Sequence, residues 1–262
     1  MGVANDLARL DDVKAWLDVS GEADDALLAR LVGRVSRAIL SYLGRPSILP
    51  AACVELFLGG GEKALTLTRW PVNRVLSCTV DGAPVAPGDL ALEPAGETPP
   101  GRPQSLALRV GRFPCGALIE ATYCAGYEIS AEAAAVPLVA PFEVAAAAPY
   151  GEWACDGGAR LAGAGPLRRV GGDPDAGEYA VNDGVYQFAA AEAGAAVELT
   201  YGYVPADLAL CCMDWTAERY AYRGRVGQSS KSLGGQETVA FIVNDMPDFV
   251  RAALQPYRRI AP

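Results

Sequence analysis

The spacing of apolar residues changes twice along this 262-residue chain, and the two changes separate helical ends from a β-rich middle. Before residue 46 the apolar residues recur at steps of three and four, which is the period of an amphipathic helix. Between residues 52 and 203 they alternate in short runs, which is typical of antiparallel strands. After Pro205 the helical period returns. The sequence therefore predicts an α+β protein whose N- and C-terminal helices form a small bundle, with a central antiparallel β region and an inserted β module.

A helical hairpin is predicted over residues 11–43. The first helix begins at Asp11, whose carboxylate is placed to cap free N–H groups, and the second follows Gly21. Gly44 ends the second helix as its C-cap residue, and Pro46 prevents its continuation. The apolar residues of the second helix share one stripe: Leu27, Leu28, Leu31, Val35, Ile39, Tyr42 and Leu43.

The middle of the chain carries strand and hairpin signals. Residues 52–127 form a predicted antiparallel β region, which opens with the alternation of Val54, Leu56 and Leu58. An Asp-Gly pair between apolar runs favours a two-residue hairpin turn. Such pairs occur at Asp81-Gly82 and again at Asp183-Gly184.

A near-repeat marks the ends of the predicted insertion. The sequence Ile119-Glu-Ala-Thr-Tyr is echoed 78 residues later by Val197-Glu-Leu-Thr-Tyr, and each copy leads to a Gly-Tyr pair and then to Val-Pro. We interpret residues 128–203 as a β module inserted where a strand once led directly to a helix. Chance similarity of two strands is the alternative. The predicted core then comprises residues 1–127 and 204–262.

The residue types that support most catalytic and metal chemistry are missing or badly spaced. Histidine is absent, which excludes Ser-His-Asp and Cys-His catalysis within the chain. The seven cysteines lack C-x-x-C spacing and indicate reduced, apolar thiols. Ser230 stands before Lys231 where a phosphate-binding loop needs glycine. We therefore predict no enzyme, with no catalytic residue, no cofactor and no metal site.

The net charge of −9 is unevenly distributed. From Arg219 to Pro262 seven basic and three acidic residues give +4, so the remainder carries −13. This asymmetry favours a basic end that meets an acidic partner surface, or copies that pack acidic surface to basic surface. A solvated helix face is the alternative. The longest uncharged apolar stretch, Ala133–Phe142, is too short to span a bilayer, and no secretory signal is present.

Three groups of residues resemble the phage head–tail connector family, also described as adaptor or head-completion proteins. Near the N-terminus the resemblance is carried by Leu10–Val19, Asp24–Leu28 and Tyr42–Arg45. Around the predicted insertion it is carried by Tyr123-Cys-Ala-Gly-Tyr and Val204-Pro-Ala-Asp-Leu. Near the C-terminus it is carried by Glu218–Tyr220, by Ser230–Val239 and by Pro256-Tyr-Arg-Arg. The resemblance covers residues 1–50, 70–127 and 204–262, and the segment 128–196 departs from it.

The resemblance implies a structural subunit of the virion neck, assembled in the host bacterial cytoplasm. Its expected partners are itself in a ring of usually twelve copies, the portal protein, a tail-side completion or terminator protein, and packaged DNA that passes non-specifically through the channel. No membrane partner is expected. The alternatives are a β-rich carbohydrate-binding or adhesin-type virion protein and, less favoured, a hydrolase that uses scattered carboxylates.

Two sets of residues are predicted to make the contacts of such a ring. The portal is expected to contact the basic C-terminal residues Arg223, Arg225, Lys231, Tyr257, Arg258 and Arg259. The bundle between subunits is expected to involve Trp16, Leu31, Val35 and Trp215.

Overall fold

A computed structural model describes residues 6–94, 102–225, 230–233, 237–240 and 246–259. The chain divides into two compact units. The first combines Met1–Pro46 with Ala206–Arg258, and the second combines Ser47–Pro205 with Arg259–Pro262. The first unit contains the helices, and the second is built of β-strands. The predicted α+β class, with both helical ends in one bundle, is confirmed.

The bundle of the first unit uses helices from both ends of the chain. Within the described residues its α-helices are α1 (Leu10–Leu17), α2 (Asp25–Leu43), α3 (Ala206–Tyr222) and α4 (Asp248–Leu254). Helices α1, α2 and α3 contact one another, and α4 packs on α3. The buried core includes Val13, Leu28, Ile39, Leu43, Leu208, Cys212, Val250 and Leu254. Each large aliphatic side chain so buried contributes about 1.5–3 kcal/mol, so the bundle depends on both ends of the chain.

The termini of α1 and α2 follow from local backbone chemistry. Helix α1 begins one residue earlier than predicted, with Arg9 as its N-cap residue, so Asp11 is not the cap. Asp11 lies instead in the first turn, where a carboxylate interacts favourably with the positive end of the helix dipole. Helix α2 ends as predicted, because Gly44 adopts a φ of 67°. The Gly44 N–H donates to the Ser41 carbonyl at 3.1 Å.

Two small sheets form the part of the second unit that precedes the predicted module. Their strands are β1 (Ala51–Leu58), β2 (Ala64–Thr66), β3 (Val72–Val80), β4 (Ala83–Pro84), β5 (Leu90–Glu93), β6 (Ser105–Leu108) and β7 (Leu118–Ala125). One sheet has the order β1-β7-β3-β4 and the other β2-β6-β5. All pairs are antiparallel, and the buried core between them includes Leu65, Leu106, Phe113, Ile119 and Tyr123.

Two further sheets form residues 128–205. Their strands are β8 (Glu128–Ala135), β9 (Glu143–Ala145), β10 (Gly151–Leu161), β11 (Arg168–Arg169), β12 (Glu178–Asn182), β13 (Val185–Phe188) and β14 (Ala196–Pro205). The orders are β10-β14-β8 and β11-β12-β13-β9. The core contains Tyr179, Tyr186, Phe188, Leu199 and Tyr201. In the first unit, β15 (Ser230–Leu233) pairs with β16 (Glu237–Ala240) as an antiparallel hairpin.

Both Asp-Gly pairs form the predicted hairpin turns. Asp81 and Gly82 have φ angles of 48° and 81°, and Asp183 and Gly184 have φ angles of 50° and 80°. Positive φ at both central residues defines the type I′ turn, whose twist matches that of the flanking strands. The two turns join β3 to β4 and β12 to β13.

The two copies of the near-repeat occupy equivalent places. Strands β7 and β14 are each flanked on both sides within their sheets. In each strand the three alternating residues of the repeat are buried: Ile119, Ala121 and Tyr123 in one, Val197, Leu199 and Tyr201 in the other. A Cβ on the following Gly126 would lie 2.5 Å from the Leu49 carbonyl, and one on Gly202 would lie 2.5 Å from Cys155 Sγ. Both glycines are therefore required by close approach.

The chain enters and leaves residues 128–202 at neighbouring points. The Tyr203 N–H donates to the Tyr127 carbonyl at 3.1 Å, and the two rings meet edge to face with centroids 5.8 Å apart. Residues 47–127 and 128–205 belong to one compact unit. That residues 128–203 were inserted into an older core stays a prediction.

Candidate assembly surfaces

The C-terminal segment is fixed to the bundle around Tyr257. The Tyr257 side chain is buried, and its hydroxyl donates to Asp207 Oδ2 at 3.2 Å. Arg45 Nε donates to the Tyr257 carbonyl at 3.0 Å. The Arg258 guanidinium stands over the Tyr42 ring, 5.5 Å from its centroid. The segment is therefore held against the C-terminal end of α2 and the N-terminal end of α3.

Arg223 makes a second basic contact, with the opposite ends of these helices. Its guanidinium lies 2.8 Å from Asp24 Oδ1 and stacks over the Tyr220 ring at 4.5 Å. Hydrogen bonds from Arg223 and Tyr220 lower the pKa of the Asp24 carboxyl, because they favour its ionised form. The same contact with Asp24 raises the pKa of Arg223.

The structure separates the residues predicted to contact the portal. Tyr257 and Arg258 lie near the start of α3, whereas Arg223 directly follows its end. At 1.5 Å per residue, the distance along α3 between Asp207 and Arg223 is about 24 Å. Arg259 is half-buried. The side chains of Arg225 and Lys231 lie outside the described part of the chain.

The residues predicted to form the bundle between subunits differ in exposure. Trp16 on α1 is 55% exposed, and Leu31 on α2 is half-buried. Val35 and Trp215 are only 4% and 5% exposed, because the helices of their own unit cover them. Of the four residues, Trp16 therefore offers the largest surface to another molecule.

An exposed apolar sheet face was not among the predicted assembly residues. The alternation of Val54, Leu56 and Leu58 does form a strand, β1, but these three side chains point away from the core and Leu58 is 74% exposed. Leu118 lies opposite Leu58 on β7, and Leu76 on β3 is also exposed. We call these five residues the outer sheet face. A sheet with one wet side normally alternates apolar and polar residues, so an apolar outer side indicates an interaction surface.

The residues that anchor the C-terminal segment were also missed. Arg45 follows the cap of α2, and Asp207 lies in the first turn of α3, where each has an ordinary local explanation. Tyr42 was assigned to the apolar stripe, yet its hydroxyl donates to Gln255 Oε1 at 3.0 Å. A tyrosine in an apolar stripe was the available signal, because its hydroxyl needs a partner.

The densest polar cluster of the β module is internal. The Asp156 carboxylate is 5% exposed and accepts hydrogen bonds from the Tyr179 and Tyr186 hydroxyls at 2.7 and 3.1 Å. Arg169 Nε lies 3.5 Å from the same carboxylate. Burial, reinforced by Asp156, raises the pKa of both tyrosines. The cluster therefore joins the two sheets of the module, and it holds its tyrosines as neutral donors.

The described residues contain neither a candidate metal site nor a candidate membrane span. Among the described residues, no group of three or more histidine, cysteine, aspartate or glutamate side chains is arranged to hold a metal ion. No helix in that part of the chain is long and apolar enough to cross a membrane.

Comparison with known proteins finds a family match for the N-terminal part of the chain. Residues 7–64 match the model of a family described as phage gp6-like head-tail connector proteins. The matched residues include α1, α2 and β1, which also carry the N-terminal part of the resemblance. No curated protein matches the chain.

Chains in two solved particles match this chain at low similarity. One is the neck of an empty gene transfer agent particle computed with C6 symmetry, with a TM-score of 0.45 and 14% identity. The other is the virion of a native gene transfer agent particle, with a TM-score of 0.44 and 14% identity. Each comparison covers 100% of this chain and 94% of the other.

The family match confirms the relationship predicted from the sequence. Over residues 7–64 the sequence matches the family described as phage gp6-like head-tail connector proteins. The predicted resemblance to head–tail connector proteins is confirmed over these residues.

Proposed function

We propose that the chain is a non-enzymatic ring subunit of the virion neck, placed between portal and tail, with packaged DNA passing through the ring. The observation that carries the proposal is the composition of the helical unit. Helices α1 and α2, which match the connector family, share one core with α3 and α4 from the far end of the chain. The connector signature therefore belongs to a complete bundle that presents its exposed surface to other molecules.

The expected ring contains twelve copies, assembled in the host bacterial cytoplasm. A ring needs heterologous contacts, in which one surface of a subunit meets a different surface of the next. Trp16 supports this role, because a large aromatic side chain that is mostly exposed is typical of an interface anchor. Leu31, Val35 and Trp215 then support the contact from the core beneath it.

The acidic body of the chain suits a channel that DNA must cross without being held. Outside Arg219–Pro262 the net charge is −13. Binding to DNA depends largely on cations that neutralise phosphates, so an acidic wall repels the duplex instead of binding it. Contact with DNA is therefore expected to be non-specific and transient.

The basic C-terminal segment is the proposed contact with the portal, and a tail-side completion or terminator protein is expected at the other end of the ring. Arg258 and Arg259 are the foremost candidates, because they directly follow the anchored Tyr257. Arg223 is already engaged by Asp24 and Tyr220. Arg225 and Lys231 remain candidates from the sequence.

Charge reversal tests the portal contact without removing the bundle core. Deleting residues 224–262 would also remove the buried Val250, Leu254 and Tyr257, so substitutions are the better test. We expect Arg258→Glu combined with Arg259→Glu to weaken attachment to isolated portal rings by about tenfold or more, since like charges placed across an interface are strongly unfavourable. Arg30→Glu, at an exposed arginine of α2, is the matched control and should attach as wild type does.

The readout is the number of chains retained per portal ring in negative-stain images and sedimentation. A folded Arg258→Glu/Arg259→Glu variant that attaches as wild type does would remove these residues from the portal contact. A wild-type chain that neither forms rings nor attaches to portal would contradict the proposed function itself.

A further inference from the structure

The outer sheet face is built to be covered by another molecule. Leu56 and Leu58 are 62% and 74% exposed on β1, an edge strand of its sheet. Leu118 stands directly opposite Leu58, so the apolar surface continues onto β7. An isolated exposed leucine is ordinary, whereas an outward row of three apolar residues on β1, extended by Leu118 on β7, forms a patch of the kind that marks protein interaction sites.

This apolar patch contains one charge near its middle. Glu120 on β7 lies between Leu56 on β1 and Thr79 on β3 in the register of the sheet, and it is exposed. A partner that covers the face must leave this carboxylate hydrated or supply a cation, because burying an unpaired charge is strongly unfavourable.

Helix α4 presents a surface that matches these requirements. Its inner side is buried through Val250 and Leu254, while Phe249, Ala252 and Ala253 are exposed at helical spacing. Phe249 is 56% exposed and provides a large apolar side chain. The side chains of the two alanines are short, so they allow the helix backbone to approach a sheet closely. Arg251, also exposed, places a cation beside this surface.

We propose that the exposed side of α4 in one copy of this chain packs on the outer sheet face of the next copy, with Arg251 facing Glu120. This inference rests on the proposed ring function and assigns one of its interfaces. The surfaces differ in shape, Arg251 is opposite in charge to Glu120, and every copy carries both surfaces. Such a pair forms a heterologous contact, which is the kind that closes a ring.

Pairing of two outer sheet faces is disfavoured by the same residues. A symmetric contact of that kind would bring Glu120 of one copy towards Glu120 of the other, and like charges in an interface oppose association. Arg251 next to an apolar helix surface removes that conflict. The charge pattern therefore favours α4 of a second copy over a second sheet face.

A charge-swap cycle on the full chain tests the contact. The variants are Glu120→Arg, Arg251→Glu and the two combined, each compared with wild type by native mass spectrometry and analytical ultracentrifugation over a range of concentrations. We expect each single reversal to weaken self-association by about tenfold, and the double variant to recover most of the loss, because it restores opposite charges in the reverse order.

Apolar substitutions test the same contact independently of charge. Leu58→Ser and Phe249→Ser are expected to weaken self-association by about tenfold through lost apolar burial. Val139→Ser is the matched control, since Val139 is also 74% exposed but lies on a loop of the β module. We expect it to associate as wild type does. Circular dichroism melting curves check that each variant is folded.

The outcomes separate the inference from the proposed function. The α4 contact is overturned if both single-reversal variants associate as wild type does. It is also overturned if the double variant associates no better than the weaker of the two single variants. Either result leaves the ring proposal standing. If the wild-type chain is monomeric in the absence of portal, the number of chains retained per portal ring is measured for the same variants. Wild type that assembles in neither setting overturns both.

Discussion

Asp156 shows how much of the β module depends on one buried carboxylate. It accepts hydrogen bonds from two tyrosines on the opposite sheet and from the Gly158 N–H at 3.0 Å. The residue stands on β10, and the tyrosines stand on β12 and β13. The carboxylate therefore ties the two sheets together, alongside the hydrogen bond that Trp153 Nε1 donates to the Tyr186 hydroxyl.

We expect Asp156→Ala to lower the free energy of unfolding by about 2–4 kcal/mol, because it leaves two buried hydroxyls without their acceptor. Urea denaturation followed by tyrosine and tryptophan fluorescence measures the loss. Asp173→Ala, at an exposed turn, is the control and should change the free energy by less than about 0.5 kcal/mol. An Asp156→Ala variant as stable as this control would show that the cluster does not stabilise the module.

The seven thiols should differ sharply in reactivity. Cys115 is the exposed one, and burial raises the pKa of Cys211 and of Cys212 to about 11. Since the thiolate is the reactive form, we expect one fast alkylation at pH 8 and slow reaction of the rest until the protein unfolds. Mass spectrometry of the labelled chain counts the sites. The fast site should vanish in Cys115→Ser, and a fast reaction at Cys212 would contradict the buried position.

For single residues, the sequence predicted which apolar side chains of α2 are buried, but it did not predict which neighbouring element covers them. The stripe of α2 correctly includes Leu28, Ile39 and Leu43, which are buried. Periodicity alone does not tell whether the covering helix belongs to the same subunit. Residue type also failed to predict the two sides of β1. Glu55 faces inwards and accepts a hydrogen bond from the Thr68 N–H at 3.1 Å, whereas Leu56 faces outwards.

Among the elements, α2 and α3 are joined at one end by a charge-assisted contact. Asp24 precedes α2, and Arg223 directly follows α3. The carboxyl pKa of Asp24 is lowered in the folded state. A group whose pKa is depressed by folding stabilises the protein above its unfolded pKa, and this contribution is lost as the pH falls through the folded value.

We therefore expect Asp24→Asn to be less stable than wild type at pH 7, with the difference shrinking below about pH 4, where the unfolded carboxyl is protonated. Urea titrations at pH 7, 4 and 2.5 measure it. Asp18→Asn, at an exposed carboxylate just after α1, is the control variant. A difference that persists unchanged at pH 2.5 would mean that Asp24 acts through something other than its charge.

The elements were predictable where local chemistry determines them. Gly44 ends α2, and the two Asp-Gly turns lie where an Asp-Gly pair favours a type I′ turn, because each depends on the backbone freedom of one or two residues. The start of α1 was wrong by one residue, since an aspartate stabilises a helix from the first turn as well as from the cap. The assembly surfaces were harder to predict from the sequence, because the exposure of a side chain depends on the three-dimensional arrangement of distant strands.

For the whole molecule, the adjacent ends of the β module make its removal testable. Tyr127 and Tyr203 form a hydrogen-bonded pair, so a two-residue turn can join them. We expect a chain in which Asn-Gly replaces residues 128–202 to fold with its helical bundle and first two sheets intact. Circular dichroism and limited proteolysis measure this. A variant that fails to fold, while a variant with only the loop 162–167 shortened folds normally, would contradict the insertion hypothesis.

The pairing of Tyr127 with Tyr203 also has an evolutionary consequence. The polypeptide enters residues 128–202 after Tyr127 and leaves them at Tyr203, and these two residues are hydrogen-bonded to each other. The insertion hypothesis implies that a foreign domain whose first and last residues lie side by side can replace residues 128–202 without altering the helices. The same point offers a grafting position for the display of unrelated folds.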